Sequence, residues 1–194
     1  GSIGSPYAVR DYYAVNPAYG SAEDLKRLVG EAHRLGFKVI IDMVANHTAW
    51  DSVLMKRPEF YKRDAAGKVL PPIADWADVA GLDYRNPELC EYMTAMLEHW
   101  MRDFDLDGFR CDVAFMVPRD FWEAARDRLE RIKPGIVMIA EADSPDLLVK
   151  AFDLDYEWPF HSALTAVFEN GAPATEIRRV WEAERARYPQ GSLR

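Results

Sequence analysis

The chain has 194 residues, 49% of them apolar, and its formal net charge is −8. These proportions are ordinary for a soluble globular domain, and the length suffices for a substantial hydrophobic core. The acidic balance argues against a nucleic-acid partner, and no apolar run approaches the ~20 residues that span a membrane. The first six residues lack the basic start and apolar block of a signal peptide, but the chain looks truncated there, so the cellular compartment stays unknown.

The first half of the chain predicts one helix, one strand and a long loop. Ser21 is placed to cap a helix that ends at Gly36, and Asp24 stands three residues after the cap, as in a capping box. The apolar run 38–44 predicts a parallel strand buried on both faces. Residues 48–83 are broken by proline and glycine without any period, which is typical of a functional loop in a compact domain.

Regular alternation between helices and strands returns in the second half. We expect strands at 108–114, 136–140 and 152–156, and helices at 87–104, 118–132, 159–169 and 173–188, with a short helix that begins near 144. This alternation predicts an α/β fold with a parallel sheet and crossover helices. Outside the loop the chain holds about five βα units of ~30 residues, which fits either an open doubly wound sheet or part of an eight-stranded barrel.

Carboxylates stand at the ends of three predicted strands, namely Asp42, Asp112 and Glu141. Reacting groups of parallel α/β folds gather at these ends. Arg110 precedes Asp112 by two residues, so both side chains point to one face, and the arginine would keep that carboxylate ionised, as a nucleophile requires. A structural ion pair is the alternative for these two residues alone. Carboxyl groups on adjacent strand ends can lie about 5 Å apart, the separation required for retaining glycoside hydrolysis.

Several segments resemble, in the same order, the signature sequences of the α-amylase family, glycoside hydrolase family 13. They are 42–47, 108–112 and 141–143, the pair 82–83 at the end of the loop, and 7–13 with 16–17 and 19–20 near the start. The resemblance covers nearly the whole chain and implies a (β/α)8 barrel, of which 1–194 would supply roughly strands three to six. Residues 48–83 would be a shortened form of the domain that the family inserts after its third strand.

The resemblance also implies a retaining mechanism on α-linked glucosides and a role for each matching residue. Asp112 would be the nucleophile and Glu141 the general acid/base, while Arg110 would orient the nucleophile. His47 would hydrogen-bond the sugar just before the cleaved bond, and Tyr7 would stack on that sugar. The implied substrate is an α-glucan or a maltooligosaccharide, with hydrolysis and transfer both open.

Four further residues complete the candidate site. Asn46 matches a position that often ligates calcium in α-amylases, so the resemblance allows a structural calcium, although the chemistry needs no cofactor. Asp42 would be a structural partner within the site. Trp50 and Trp76 give the loop aromatic surface, and we expect them to contact the glucan. The alternative is that these rings only pack the loop.

The sequence departs from the family pattern in two respects. The fourth signature, whose His–Asp pair follows the seventh strand and stabilises the transition state, is absent. The Lys–His pair that many starch-cleaving members carry after the nucleophile is replaced by Phe115 and Met116. We therefore expect an internal fragment with impaired activity of its own, and a leaving-group side unlike that of ordinary endo-amylases.

A sheet of only strands three to six would be left with open edges. The strand 38–44 would form one edge and the segment 152–156 the other, and inner-face residues such as Val39 and Ile41, or their neighbours, would meet water. Open edges and exposed apolar surface favour association. We therefore expect the chain alone to self-associate into a dimer or a larger assembly.

Two interpretations from other classes remain open. The first is a non-catalytic carbohydrate-binding or ancillary protein built on the same barrel; the retained Asp112 and Glu141 argue against it, whereas the missing signature argues for it. The second is a metal-dependent barrel hydrolase with Asp42, His47, Asp112 and Glu141 as ligands. A single histidine makes that a thin donor set for a transition metal.

Overall fold

The computed structural model describes residues 7–190 and 192, so the first six residues, on which the signal-peptide interpretation rests, lie outside the described part. The regular elements in chain order are α1 (Ala22–Arg34), β1 (Ile40–Met43), β2 (His47–Ala49), β3 (Val79–Gly81), α2 (Pro87–Phe104), β4 (Gly108–Cys111), α3 (Arg119–Ile132), β5 (Val137–Ala140), β6 (Leu154–Asp155), α4 (Trp158–Phe168) and α5 (Thr175–Arg187). Within this part of the chain, no helix combines the length and apolarity that a membrane span requires.

The main sheet contains four parallel strands in the order β1, β4, β5, β6. Apart from the small pair β2–β3, this is also their order along the chain, so each crossover adds the next strand on the same side. A doubly wound sheet reverses direction at a switch point, whereas a (β/α)8 barrel grows in one direction. The partial barrel is thus confirmed over the doubly wound alternative, with β1 and β6 at the two edges as predicted.

One face of the sheet packs against helices. Phe109, Cys111, Met138 and Ala140 are fully buried on this side and belong to the main hydrophobic core, as do the inner faces of α2 and α3. The strand register pairs Ile41 with Phe109, so Ile41 also faces the helices. This layer fixes the sheet and leaves its opposite face, the inner face of a barrel, free to carry chemistry.

The inner face differs in detail from the expectation. Val39 and Ile41 pack against the helix-side core, and the alternation of side chains along a strand places Ile40 and Asp42 on the inner face instead. Ile40 is half-buried and Asp42 is exposed. The prediction that this strand is buried on both faces is wrong, because β1 is an edge strand whose inner face meets solvent.

Helix starts follow their sequence signals, whereas the strands are shorter than predicted. Ser21 caps α1 and forms a capping box with Asp24, and Asn86 caps α2. Strand β4 ends at Cys111 instead of continuing to 114. The reason is Val113, whose left-handed backbone (φ 38°) ends the extended run before a short 3-10 turn.

The loop 48–83 is more ordered than its sequence suggests. Strands β2 and β3 form an antiparallel pair at its two ends. Phe60 and Tyr61 are fully buried, and the Tyr61 hydroxyl hydrogen-bonds with Oγ1 of Thr48 at 2.9 Å. These two rings therefore pack the loop. Three-residue strands are too short to produce a recognisable alternation, which is why the sequence did not predict the pair.

A buried aspartate secures the end of the sheet where the strands begin. The Asp107 carboxylate accepts a hydrogen bond from the N–H of Val39 at 2.7 Å and contacts His33, Lys38 and Lys133 at 2.7–3.2 Å. Burial opposes its ionisation, but these contacts outweigh burial and hold the pKa of Asp107 well below its ordinary value. This network lies where the strands begin. The reacting groups of parallel α/β folds gather at the opposite end, where the strands finish.

Candidate active site

The carboxylates at the carboxyl ends of β1, β4 and β5 meet around one arginine. Nη1 of Arg110 donates to both oxygens of Asp42, at 2.8 and 2.9 Å, and to Oδ1 of Asp112 at 3.0 Å. Nη2 of the same side chain lies 2.9 Å from Oε2 of Glu141. The expectation that residues 110 and 112 share a face is confirmed, and the three predicted carboxylates lie together.

Backbone hydrogen bonds between neighbouring strands fix the positions of these side chains. The N–H of Asp112 donates to the carbonyl of Met43 at 2.9 Å, and the N–H of Glu141 donates to the carbonyl of Cys111 at 3.0 Å. Parallel pairing thus continues just beyond the strands and brings Asp112 beside β1 and Glu141 beside β4. Since the strands are parallel, the carboxylates project from one end of the sheet.

Val113 adds a contact that the sequence did not reveal. Its φ of 38° is rare for a β-branched residue, and in this conformation its N–H donates to Oε2 of Glu141 at 2.9 Å. Strained backbone of this kind concentrates at functional sites. A valine within an apolar run gives no sequence signal for such a role; only its position directly after Asp112 marks it.

Arg110, Asp112, Val113 and Glu141 line one wall of a cavity of about 390 Å³, and residues of the loop and of the N-terminal segment complete its lining. The opposite wall includes Tyr7, His47, Trp76 and Asp78. Three of these four are predicted site residues, which the fold brings together with Arg110, Asp112 and Glu141. Asp78 is an addition, because nothing in the local sequence distinguishes this exposed carboxylate from a solvated one.

His47 is held from several sides. The Tyr12 hydroxyl lies 2.6 Å from the carbonyl oxygen of Val44 and 3.0 Å from that of His47, which ties this segment to the preceding chain. Nδ2 of Asn46 lies 3.2 Å from Nδ1 of His47. Trp76 presents its ring to the imidazole edge-to-face, with 5.8 Å between ring centres.

The surroundings of His47 disfavour the charged form of its ring. Burial lowers the pKa of His47 below its ordinary value, although a hydrogen bond with the backbone of Tyr7 and the negative charge of Asp78 act in the opposite direction. A neutral imidazole has one nitrogen that donates and one that accepts a hydrogen bond. Such a ring suits a hydroxyl group as its partner.

The two loop tryptophans occupy different places. Trp76 lies in the cavity wall, whereas Trp50 lies outside the lining and is 41% exposed. The indole N–H of Trp50 donates to the carbonyl of Ala77 at 3.0 Å, so this ring joins the two ends of the loop. A contact between Trp50 and substrate stays a prediction.

The surroundings of Asn46 do not fit a calcium ion. Its buried amide nitrogen faces Nδ1 of His47 and lies 3.8 Å from Sδ of Met116, and its backbone carbonyl accepts from the N–H of Leu82. Calcium takes about 6–8 oxygen ligands. No group of three or more His, Cys, Asp or Glu side chains in residues 7–190 and 192 is arranged to hold a metal. The metal-dependent alternative also lacks its ligand cluster in this part of the chain, since the Arg110 guanidinium lies between the three carboxylates.

Phe115 and Met116, which follow Asp112 closely, border a second hollow of about 310 Å³. It lies between the turns that follow β4 and β5, with Phe115 and Met116 on one side and Ser144 and Asp146 on the other. Phe115 is 59% exposed. The chain therefore offers an exposed aromatic ring close to the candidate site.

Opposing influences act on the pKa of Asp112. Burial and the negative charge of Glu141 raise the pKa of Asp112 to about 6, although the hydrogen bond from Arg110 lowers it. The arginine therefore favours the ionised carboxylate, as expected, but burial and Glu141 oppose it, and the ionised state of Asp112 stays a prediction. Burial lowers the pKa of Arg110, but hydrogen bonds with Asp42 and Tyr156 outweigh that effect and raise it above its ordinary value, so the guanidinium stays charged.

We expect the Asp112 carboxyl to titrate near pH 6, and at a lower pH in Glu141→Gln, because that variant removes the neighbouring negative charge. Carboxyl ¹³C chemical shifts measured against pH would give both midpoints. Since the folded pKa lies above the ordinary value of 3.8, the stability that Asp112 contributes is present at lower pH and is lost as the pH rises through about 6. Equal midpoints near 4 in both proteins would contradict this account.

The sequence and the fold both match known amylases. The family described as Alpha-amylase, "Alpha amylase, catalytic domain", matches residues 4–66 and 73–169. A cyclomaltodextrinase of Thermoanaerobacter pseudethanolicus is 29% identical over 84% of this chain and 32% of its own length.

Two solved structures resemble the whole described fold. A maltogenic α-amylase of Thermotoga neapolitana matches with a TM-score of 0.91 and 39% identity over 99% of this chain and 45% of its own. An α-amylase of Lactobacillus plantarum gives a TM-score of 0.92 and 34% identity over 99% of this chain and 49% of its own. The chain thus spans about a third of the curated relative and just under half of the solved chains.

Proposed function

The chain belongs to the α-amylase family, and on this premise we propose that the protein is a retaining glycoside hydrolase or transglycosylase acting on α-linked glucans. One observation carries the proposal. Asp112 and Glu141 stand at the ends of adjacent parallel strands, contact the two terminal nitrogens of one guanidinium and face one cavity. Retaining glycosidases need two carboxyl groups about 5–5.5 Å apart, and we propose that separation for this pair.

The proposed reaction has two displacement steps. In the first, a carboxylate oxygen of Asp112 bonds to the anomeric carbon while the glycosidic C–O bond breaks, and Glu141 gives its proton to the departing oxygen. In the second, Glu141 takes a proton from water or from a sugar hydroxyl, whose oxygen bonds to the anomeric carbon as the ester to Asp112 breaks. Two inversions retain the anomeric configuration, and no cofactor enters either step.

The charges of the two carboxyl groups are coupled, and the proposed chemistry needs the proton on Glu141 and the charge on Asp112. The negative charge of Glu141 is one cause of the raised pKa of Asp112. When Glu141 carries the proton, that cause disappears and Asp112 ionises more readily. The pair then holds one nucleophilic carboxylate and one acid, which is how two neighbouring carboxyl groups divide such roles.

We propose that the opposite wall of the cavity binds the sugar that precedes the cleaved bond. His47 would hydrogen-bond a hydroxyl of that sugar, and Tyr7, which is 45% exposed, would stack on its ring. Arg110 would orient Asp112, with Asp42 as its structural partner. These roles are supported by the position of each side chain around one cavity.

An α-glucan or a maltooligosaccharide is the proposed substrate class. The relatives with the matching sequences are named as a cyclomaltodextrinase and a maltogenic α-amylase. The exposed ring of Phe115 beside the site suits the apolar face of a sugar on the leaving-group side. Hydrolysis and transfer are both open to this site, because either water or a sugar hydroxyl could be the acceptor in the second step.

Proton NMR of the first product formed from a maltooligosaccharide by the full-length protein tests the proposal. We expect the α-anomer to appear first and the β-anomer to follow by mutarotation. A β-anomer that appears first would show inversion and refute the mechanism. Binding of the sugar without any turnover would refute catalysis and favour the carbohydrate-binding alternative.

Alanine at Trp76 is expected to raise the KM for a long maltooligosaccharide about 5- to 10-fold, because loss of one aromatic contact costs ~1–1.5 kcal/mol. Alanine at Trp50 is the matched variant, since that ring lies on the same loop but outside the cavity lining. A smaller rise for Trp50→Ala would locate the glucan along the cavity wall. An unchanged KM in both variants would make them packing residues only.

We propose that the 194-residue chain by itself self-associates and has little or no turnover, because the fourth signature is not among its residues. The open edges β1 and β6 and the half-buried Ile40 and Ile139 on the inner face support association. Sedimentation velocity should show a dimer or larger species that weakens in Ile40→Lys. The matched control is Leu28→Lys on the exposed side of α1. A compact monomer at all concentrations would contradict the proposal.

A further inference from the structure

We propose that Tyr156 is a positioning residue whose hydroxyl group fixes the guanidinium plane of Arg110. The fixed plane in turn holds the carboxyl groups of Asp112 and Glu141 in their positions relative to each other. The inference deepens the glycosidase function proposed above and rests on it. Tyr156 lies outside every segment that resembles a family signature, and it was not among the residues predicted from the sequence.

The contacts of Arg110 divide between charged and neutral partners. Its two terminal nitrogens bind carboxylates, while Nε donates to the hydroxyl oxygen of Tyr156 at 3.0 Å. The guanidinium carbon also lies 5.6 Å from the centre of the tyrosine ring. Among the residues that the structure describes, this hydroxyl is the partner of Nε, and its loss would leave a shielded donor without one.

The bond at Nε restrains the guanidinium from a direction that the carboxylates do not occupy. The plane turns about the Cδ–Nε bond and contains the Nε–H, so a hydrogen bond there helps to fix the rotation of the group together with the carboxylate contacts. Nη1 binds Asp42 and Asp112, and Nη2 binds Glu141. Rotation of the guanidinium plane would change the contacts with Asp112 and Glu141 together. A neutral partner achieves this without adding a fourth negative charge to the cluster.

The fold places Tyr156 for this contact. It follows β6 directly, and its N–H donates to the carbonyl of Ala142 at 3.1 Å, next to Glu141. Its ring meets Trp158 edge-to-face with 5.2 Å between centres. The side chain therefore crosses from β6 over the end of β5 and reaches Arg110 on β4, so one residue links the ends of three strands.

Tyr156→Phe in the full-length protein tests the inference, since it removes the hydroxyl and keeps the ring. We expect kcat to fall about 10-fold or more with KM little changed, because a small misplacement of reacting groups costs rate more than binding. Tyr84→Phe is the matched control: it removes a buried hydroxyl that donates to the carbonyl of Ala45 at 2.8 Å, away from Arg110. That variant should lower the thermal midpoint and leave kcat unchanged.

A double-mutant cycle with Arg110→Lys shows whether Tyr156 acts through the arginine. Lysine keeps the positive charge but has no Nε–H, so Tyr156→Phe should cost nothing further in that background. If the losses in kcat caused by the two single substitutions multiplied in the double variant, the hydroxyl would act independently of Arg110, and the inference would be overturned.

Solvent exchange of the Arg110 Nε–H, followed in ¹⁵N-labelled protein, gives a readout that needs no activity. We expect slow exchange in the wild type and faster exchange in Tyr156→Phe. Fast exchange in the wild type would refute the positioning role even if the variant fails to fold. Wild-type protein with a protected Nε–H but no turnover would refute the glycosidase proposal alone, whereas active protein with unchanged kcat in Tyr156→Phe would refute this inference alone.

Discussion

Asparagine in place of Asp112 is expected to lower kcat/KM for maltooligosaccharides by roughly 10³-fold or more in the full-length protein, because the amide cannot form the ester with the anomeric carbon. Arg110 keeps its contacts with Asp42 and Glu141, so the fold of the site should persist. Steady-state rates would measure the loss. Asp120→Asn, at an exposed position in the first turn of α3, is the control and should retain the wild-type rate. Near-normal activity in Asp112→Asn would end the retaining mechanism.

The companion variant Glu141→Gln separates the two carboxyl roles. With an ordinary glucan the loss should be about 10²–10⁴-fold, the usual worth of general acid/base catalysis. With α-glucosyl fluoride the first step should be nearly normal, since fluoride departs without a proton. Asp112→Asn should be equally inactive on both substrates. If the two variants responded alike to the fluoride, the assignment of nucleophile and acid would be wrong.

The sequence was most informative where a single residue type signals a single requirement. Ser21 with Asp24 and Asn86 marked helix starts, because a cap must accept backbone hydrogen bonds that nothing else satisfies. Asp112 and Glu141 stood out because a carboxylate at the end of an apolar strand loses free energy of hydration, which a structural or chemical role must offset. Such signals are local, and the structure shows the predicted features at the same residues.

Features that depend on several elements at once could not be predicted in this way. The raised pKa of Asp112 depends on burial and on Glu141, which follows another strand, whereas the neighbouring arginine acts in the opposite direction. Val113 and Tyr156 take their roles from one backbone angle and one crossing side chain. Trp50 and Trp76 have the same residue type and the same loop, and only the path of the loop separates them. Composition and spacing carry none of this information.

The position of Asp112 relative to Glu141 also depends on how closely β4 and β5 approach, and one glycine permits that approach. Gly108 pairs with Val137 at the start of both strands and has a φ of 149°. A Cβ added there would lie 1.8 Å from the carbonyl oxygen of Val137, which is backbone and cannot move aside alone. The strands would have to separate, and Arg110 and Asp112 follow within four residues.

Gly108→Ala is therefore expected to lower the free energy of unfolding by several kcal/mol, about 3 or more, or to prevent folding altogether, as losses of this size arise from strain at a special backbone position. Urea unfolding of the full-length protein, followed by tryptophan fluorescence, would measure the change. Gly30→Ala is the matched control, because Gly30 lies inside α1 and an added Cβ would have no atom within 4 Å apart from its chain neighbours and the backbone of its own helix. That change should be neutral or stabilising by ~0.5–1 kcal/mol, since alanine loses less backbone entropy in a helix. An unfolding midpoint of Gly108→Ala equal to that of the wild type would mean that the two strands can separate without cost, and the close pairing would then not be what holds Asp112 beside Glu141.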